Sequence, residues 1–298
     1  MEYRIYLGPA QTGGDHLLKL IDRNNGLLKN EGILCVPPEK SNRIWSEIRT
    51  AHRDDADRPA VLERFHTLCL DGVPERDVDQ LVFWLPSIKE RIVNVARASD
   101  LLPRVRFITR VFTAFLPRDQ LILTAAVRNP AKFIVGNYIE FIRRGGTASF
   151  DDFIVEMRPD QMHWSRTWER LLVPYGRLHP DDAPLYIWRY EDYPMNWREV
   201  LSAVTGCQDV EHFIDIESEP TGDMSLYGAA LMQHYLVEKP VEDDTEREQI
   251  YQRFLADYPD DGTIIRNRTW TTDLVAQMFQ SYEDDWYFLE QMDHVITL

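Results

Sequence analysis

The sequence predicts an α/β protein of three layers, with helices on both faces of a central parallel sheet and a mainly helical C-terminal extension. Short apolar runs alternate along the chain with longer stretches of helical apolar spacing, the pattern of strand and crossover helix. One run, Leu121–Val127 (LILTAAV), is apolar almost throughout, as a strand covered on both faces must be. The chain also opens as strand, glycine turn and helix.

Taken in order, Tyr3–Leu7 is a β-prone run, followed by Gly8-Pro9-Ala10-Gln11-Thr12-Gly13-Gly14-Asp15. From His16 the apolar positions Leu17, Leu18, Leu20, Ile21, Leu27 and Leu28 recur at helical spacing until Gly32, and Ile33–Val36 reads as a second strand stopped by Pro37-Pro38. Helices are expected over Ser41–His52 and Pro59–Leu70, a strand over Gln80–Leu85, a helix from Ser87 to Ala98, and an amphipathic segment over Val105–Leu116. After Leu121–Val127 come Arg128-Asn129-Pro130 and a helix over Ala131–Arg144, ended by Gly145-Gly146. Further helices are expected near Phe150–Met157 and Gln161–Val173, a strand at Leu185–Trp188, and then helices at Trp197–Val204, Leu226–Val237, Thr245–Tyr258 and Thr272–Met292. With neither repeats nor a low-complexity linker, the chain reads as one domain, an α/β core over 1–206 and an acidic, mainly helical extension over 207–298.

At 298 residues, with 44% hydrophobic and 11% aromatic residues, the chain can bury a sizeable core, which excludes disorder throughout. It contains no apolar run of membrane-spanning length, and its first residues lack the zones of a signal peptide, so a cytoplasmic protein is expected. Cys35, Cys69 and Cys207 form no CxxC pair and the histidines no HExxH, so reduced thiols and no metal site are expected. The net charge of −16 disfavours nucleic acid and anionic membranes as partners. That charge is uneven: from Asp181 onward there are 7 Lys and Arg against 26 Asp and Glu, which leaves 26 basic and 23 acidic residues before it. An anionic ligand suits the first part of the chain, whereas a polyanionic acceptor is disfavoured.

A glycine turn between a strand and a helix N-terminus is suited to anions, because unpaired backbone N–H groups and the helix dipole converge there. Gly8, Gly13 and Gly14 supply the freedom such a turn needs. The pattern GxxxxGK[ST] is absent, since Gly14, Asp15 and His16 follow Gly13, and this disfavours an ATPase, GTPase or nucleoside-phosphate kinase.

Gly8 to Gly14 resembles the opening phosphosulfate loop of the sulfotransferase superfamily. Three later segments fall in that family's order. Leu121–Val127 with Arg128-Asn129-Pro130 looks like its strand and Arg-x-Pro corner, Tyr186–Tyr193 (YIWRYEDY) and Val204-Thr205-Gly206 look like its middle segment, and Arg266-Asn267-Arg268-Thr269 with Tyr282, Asp285 and Leu289 resembles the C-terminal part of bacterial members. The resemblance implies a P-loop α/β fold and sulfuryl transfer from 3′-phosphoadenosine 5′-phosphosulfate to a hydroxyl or amine of an acceptor, a small molecule or a saccharide. It implies Gly8, Gln11, Thr12, Gly13, Gly14 and Asp15 on the 5′ side of that cofactor, and Arg128 with Asn137 on the 3′ side.

Several positions depart from the family pattern. Gln11 stands where the family has a loop lysine, and losing one such electrostatic donor commonly costs on the order of a hundredfold in rate. Gly14 and Asp15 replace two hydroxyl residues, and Gly136 replaces a serine, with Asn137 beside it as a substitute donor. Gln11, His16 and Glu90 are the candidates for a catalytic role, with Lys89 beside Glu90. The alternative, favoured by Gln11 and Asp15, is a catalytically lapsed relative serving as a binding or interaction module. Gly8 to Gly14 also reads as a structural strand-to-helix turn in which Asp15 caps the helix. Glu191-Asp192 either organises the site or closes a turn, Asp243-Asp244 and Asp284-Asp285 read as solvated acidic faces, and most tryptophans, among them Trp84, Trp188, Trp197 and Trp270, read as packing residues.

Overall fold

The computed structural model describes residues 1–8, 12–54, 56–85, 105–154, 184–216, 223–260 and 269–298. Six strands make one sheet: β1 (Glu2–Tyr6), β2 (Ile33–Val36), β3 (Gln80–Trp84), β4 (Leu121–Val127), β5 (Leu185–Arg189) and β6 (Val295–Thr297). Their order is β2-β3-β1-β4-β5-β6 and every pairing is parallel. With helices on both faces this is a three-layer α/β/α fold. All seven residues of β4 are buried, which is why LILTAAV shows no polar alternation.

Alternation on the strands divides the core in two. Tyr3, Ile5, Leu7, Leu81, Phe83, Leu123, Val127 and Ile187 face one layer, packed by α3 (Pro38–Arg53), α4 (Arg58–Leu70), α5 (Val105–Phe115) and α6 (Pro130–Arg143). The short α7 (Phe150–Ile154) completes that side together with α9 (Leu226–Glu238), α10 (Asp244–Asp257) and α11 (Thr272–Glu290). Tyr6, Val82, Trp84, Ala126 and Trp188 face the other layer, made by α1 (Gly14–Arg23), α2 (Asn25–Asn30) and α8 (Tyr193–Thr205).

The helix read from His16 onward begins two residues earlier, at Gly14, and is broken at Asn24. Asn24 is buried: its Nδ2 donates to the carbonyls of Leu20 and Ile214, and its Oδ1 accepts from the Ile214 N–H. A contact across 190 residues thus holds the residue at the break. Pro38 opens α3 at its first position rather than stopping the chain, since its missing N–H costs nothing there. Asn129 caps α6 by accepting from the Ala131 N–H at 3.0 Å, and Ser225, Asp243 and Thr271 cap α9, α10 and α11. Asp243 caps its helix while staying exposed, and Asp244 and Asp284 are exposed too, whereas Asp285 is buried at 5% exposure, which corrects the solvated-acid reading for that residue alone.

The sequence reading ends in helix, but the chain returns after α11 to add β6 beside β5, with Val295 opposite Leu185 and Thr297 opposite Ile187. Three residues are too short a run for periodicity to identify. On the interior strand β1, Arg4 is buried and donates to Gln80 Oε1, to the Ala203 carbonyl (both 2.7 Å) and to Glu2. It thereby satisfies the C-terminus of α8, which Gly206 closes in the left-handed region at φ 82°.

Candidate functional site at the ends of β1 and β4

Parallel sheets leave a crevice at the carboxyl ends of adjacent strands whose following helices lie on opposite faces. Here those strands are β1, followed by α1 on one face, and β4, followed by α6 on the other. The glycine turn and the Arg128 corner therefore meet at the crevice.

On the β1 side, Gly13 is the N-cap of α1 and adopts φ 79°, the left-handed conformation that favours glycine. A Cβ on Gly13 would stand 3.1 Å from the Tyr190 ring and 3.3 Å from that of Tyr193. Gly13 supplies α1 with no side-chain cap, and Asp15, the alternative cap read from sequence, lies exposed in the first turn. The N-terminus of α1 thus lies at the β1 end of the crevice with no side-chain acceptor supplied by Gly13. Beneath the turn, Tyr6 stacks on Trp84 at 3.9 Å between ring centroids, with Trp188 at 6.0 Å. Gly8 lies directly on the Tyr6 ring, and Thr12, 2% exposed, neighbours its hydroxyl. Burial drives the Tyr6 phenol far above its ordinary pKa, so it stays neutral.

His16 sits edge-on to Tyr193, its Nδ1 2.9 Å from the Tyr193 hydroxyl. Burial lowers its pKa, opposed by Asp215 and reinforced by Lys19. His66, stacked on Tyr3 with its Nε2 2.7 Å from the Tyr3 hydroxyl, is lowered by burial in the same way, against Glu75. An imidazole held neutral in the fold takes up its proton at lower pH than in the unfolded chain, so the unfolded chain binds more protons just below the ordinary value of about 6.5. Stability from these two sites is full above that pH and is lost as pH falls through it. In urea titrations at pH 7.5 and 5.5, the midpoint of the protein is expected to drop more steeply than that of the His16→Gln/His66→Gln variant. Parallel slopes would refute this.

On the β4 side, Arg128 is 3% exposed and its guanidinium lies 4.6 Å over the Tyr190 ring while pairing with Asp223. The corner is held by Glu191, whose Oε1 accepts from the Asn129 N–H and whose Oε2 accepts from the Tyr282 hydroxyl, both at 2.9 Å. Glu191 is therefore a brace between the end of β4 and α11, not a free turn carboxylate. Asn137 is buried and its Nδ2 donates to the Phe133 carbonyl of its own helix at 2.7 Å, which engages one of its two amide protons.

From Arg128 and Asp223 a groove of ≈ 680 Å³, including its open mouth, runs between α6, α9 and α11. Val135, Ile139, Met224, Leu226 and Trp270 make it largely apolar, Gly136 leaves one wall without a side chain, and Lys132, Asp260 and Phe279 also line it.

Of the residues singled out from sequence, the structure brings together Gly8, Thr12, Gly13, Gly14 and Asp15 at the β1 side and Arg128 at the β4 side. It turns Asn137 inward and His16 toward Tyr193. Gln11, Glu90 and Lys89, the helices expected over Ser87–Ala98 and Gln161–Val173, and Arg266 to Arg268 lie outside the described residues. Sequence reasoning missed Asp223, Tyr190, Lys132 and Trp270 as neighbours of this site. The acidic stretch containing Asp223 held no local sign that it would meet an arginine 95 residues earlier. Among the described residues, no group of three or more His, Cys, Asp or Glu comes together to hold a metal, and no helix is long and apolar enough to cross a membrane.

Fold and site together define a three-layer α/β protein with an uncapped, glycine-led helix N-terminus at the β1–β4 crevice. No protein-family model matches the chain, and no curated protein does. Among solved structures it is similar to the crystal structure of a sulfotransferase from Alicyclobacillus acidocaldarius, at 15% identity and a TM-score of 0.40, covering 82% of this chain and 99% of that one.

Proposed function

We propose that this is a sulfotransferase-like protein that takes 3′-phosphoadenosine 5′-phosphosulfate at the β1–β4 crevice and transfers its sulfuryl group to a hydroxyl or amine of a small-molecule or saccharide acceptor. The observation that supports it is the pairing of two features across adjacent strands: the uncapped N-terminus of α1 led by Gly13, and the buried Arg128 at the end of β4. The residues fit the 5′ end of that cofactor, since first-turn N–H groups suit an anion and the field of α1 adds to them. At the 3′ end the residue type fits, an arginine at the head of a groove with an apolar body, but Asp223 already balances its charge. When bound, the cofactor supplies an activated sulfuryl group. The chain's own part is to orient it and to offset charge that develops beside the α1 N-terminus.

The Arg128–Asp223 pair, the Tyr6 ring against Gly8 and the inward bond of Asn137 favour a second reading, a lapsed relative kept as a binding module. Calorimetry with adenosine 3′,5′-bisphosphate separates the two. A micromolar dissociation constant for the wild type is expected. Binding only by Gln11→Lys/Asp15→Thr would identify a lapsed site, and binding by neither would reject the cofactor.

A further inference from the structure

The two members of the Arg128–Asp223 pair differ in freedom. The Arg128 side chain is 4% exposed and stacked on Tyr190, whereas that of Asp223 is 29% exposed. The Asp223 backbone is anchored, its carbonyl accepting from the Asp260 N–H at 2.7 Å next to the Met224–Pro259 bridge. The guanidinium is therefore fixed, and the carboxylate is the half that can turn out to water without moving its backbone. Both line the same groove, with Lys132 also on its wall.

We propose that Asp223 is a specificity-determining residue: its carboxylate occupies the anion position on Arg128, and a ligand's anionic group enters the groove only by exchange against it. This rests on the nucleotide reading above for the identity of the ligand but not for the exchange itself. A ligand carboxylate offers Arg128 the same charge and fork geometry as Asp223 while competing with an intramolecular rival at high effective concentration. A dianionic head, such as a phosphate monoester, brings an additional charge that Arg128 and Lys132 can share, and Asp223 recovers its hydration at the surface. The exchange thus discriminates dianions from monoanions.

The full chain and its Asp223→Asn variant would be compared by thermal unfolding in sodium sulfate and in sodium acetate at matched ionic strength. Asp223→Asn is expected to be stabilised by sulfate at concentrations at least tenfold lower than the wild type needs, and to respond to acetate where the wild type does not. Arg128→Gln/Asp223→Asn should lose both responses. Equal responses in wild type and Asp223→Asn, or a response that survives in the double variant, would overturn the proposal. Asp223→Ser is the second variant, and loss of the fold in both would make the pair a structural strut and equally overturn it. A nucleotide arm tests the reading beneath: preference for adenosine 3′,5′-bisphosphate over adenosine 5′-monophosphate should rise at least tenfold in Asp223→Asn. If neither nucleotide binds while the sulfate responses hold, the nucleotide reading fails and the exchange stands.

Discussion

Gly206→Ala is expected to destabilise the protein by about 2–5 kcal/mol, through strain and a broken polar network together. The residue ends α8 at φ 82°, where a Cβ costs about 1–2 kcal/mol on conformation alone. That Cβ would also stand 1.5 Å from Gln80 Oε1 and 2.5 Å from Arg4 Nε. Gln80 would have to give up its bond from Arg4 and its contact with the Gly206 carbonyl, leaving a buried guanidinium short of an acceptor. A lost partner of that kind costs about 1–3 kcal/mol. Denaturant unfolding measures the sum, and a loss below about 1 kcal/mol would mean that the Arg4 network relaxes freely, contrary to its burial.

The second large effect is expected at Gly8→Ala, at about 1–3 kcal/mol. The added carbon would fall 2.0 Å from Tyr6 Cε1 and 2.3 Å from the Tyr6 hydroxyl oxygen. Tyr6 is 2% exposed and stacked on Trp84, so its ring can yield only by leaving that stack. The change should appear in the near-ultraviolet circular dichroism and in the tryptophan fluorescence as well as in stability. A double-mutant cycle isolates the cause: in a Tyr6→Ala background the cost of Gly8→Ala should largely vanish. An undiminished cost there would place the strain in the turn itself. The expectation matters for function, because Gly8 lies against this ring at the β1 end of the crevice.

Much of this architecture was legible from local pattern. β1 to β5 were placed within a residue at either end, and LILTAAV marked a central strand because a strand covered on both faces has no polar side to show. Gly13 was recognisable as part of an anion-suited turn because glycine is the residue that such a backbone conformation favours. The break at Asn24 and the burial of Asp285 were not legible, since a polar residue in a helical run looks solvated until its partner is known. The three-residue β6 was not legible either, because its strand character comes from pairing with β5.

By itself the sequence determined β1 to β5 and the glycine turn and Arg128 corner that follow two of them, because burial leaves a trace in strands of this length. That the turn and the corner meet at one crevice was decided by the strand order, which puts β1 beside β4. Only the tertiary structure decided the electrostatic state of the crevice: Asp223 on Arg128, Tyr190 beneath it and Glu191 bracing the Asn129 backbone. Charge neutralisation depends on separation in space, falling from strong to negligible over a few ångströms in the presence of water and salt, and residues 95 positions apart carry no local pattern that announces such a meeting.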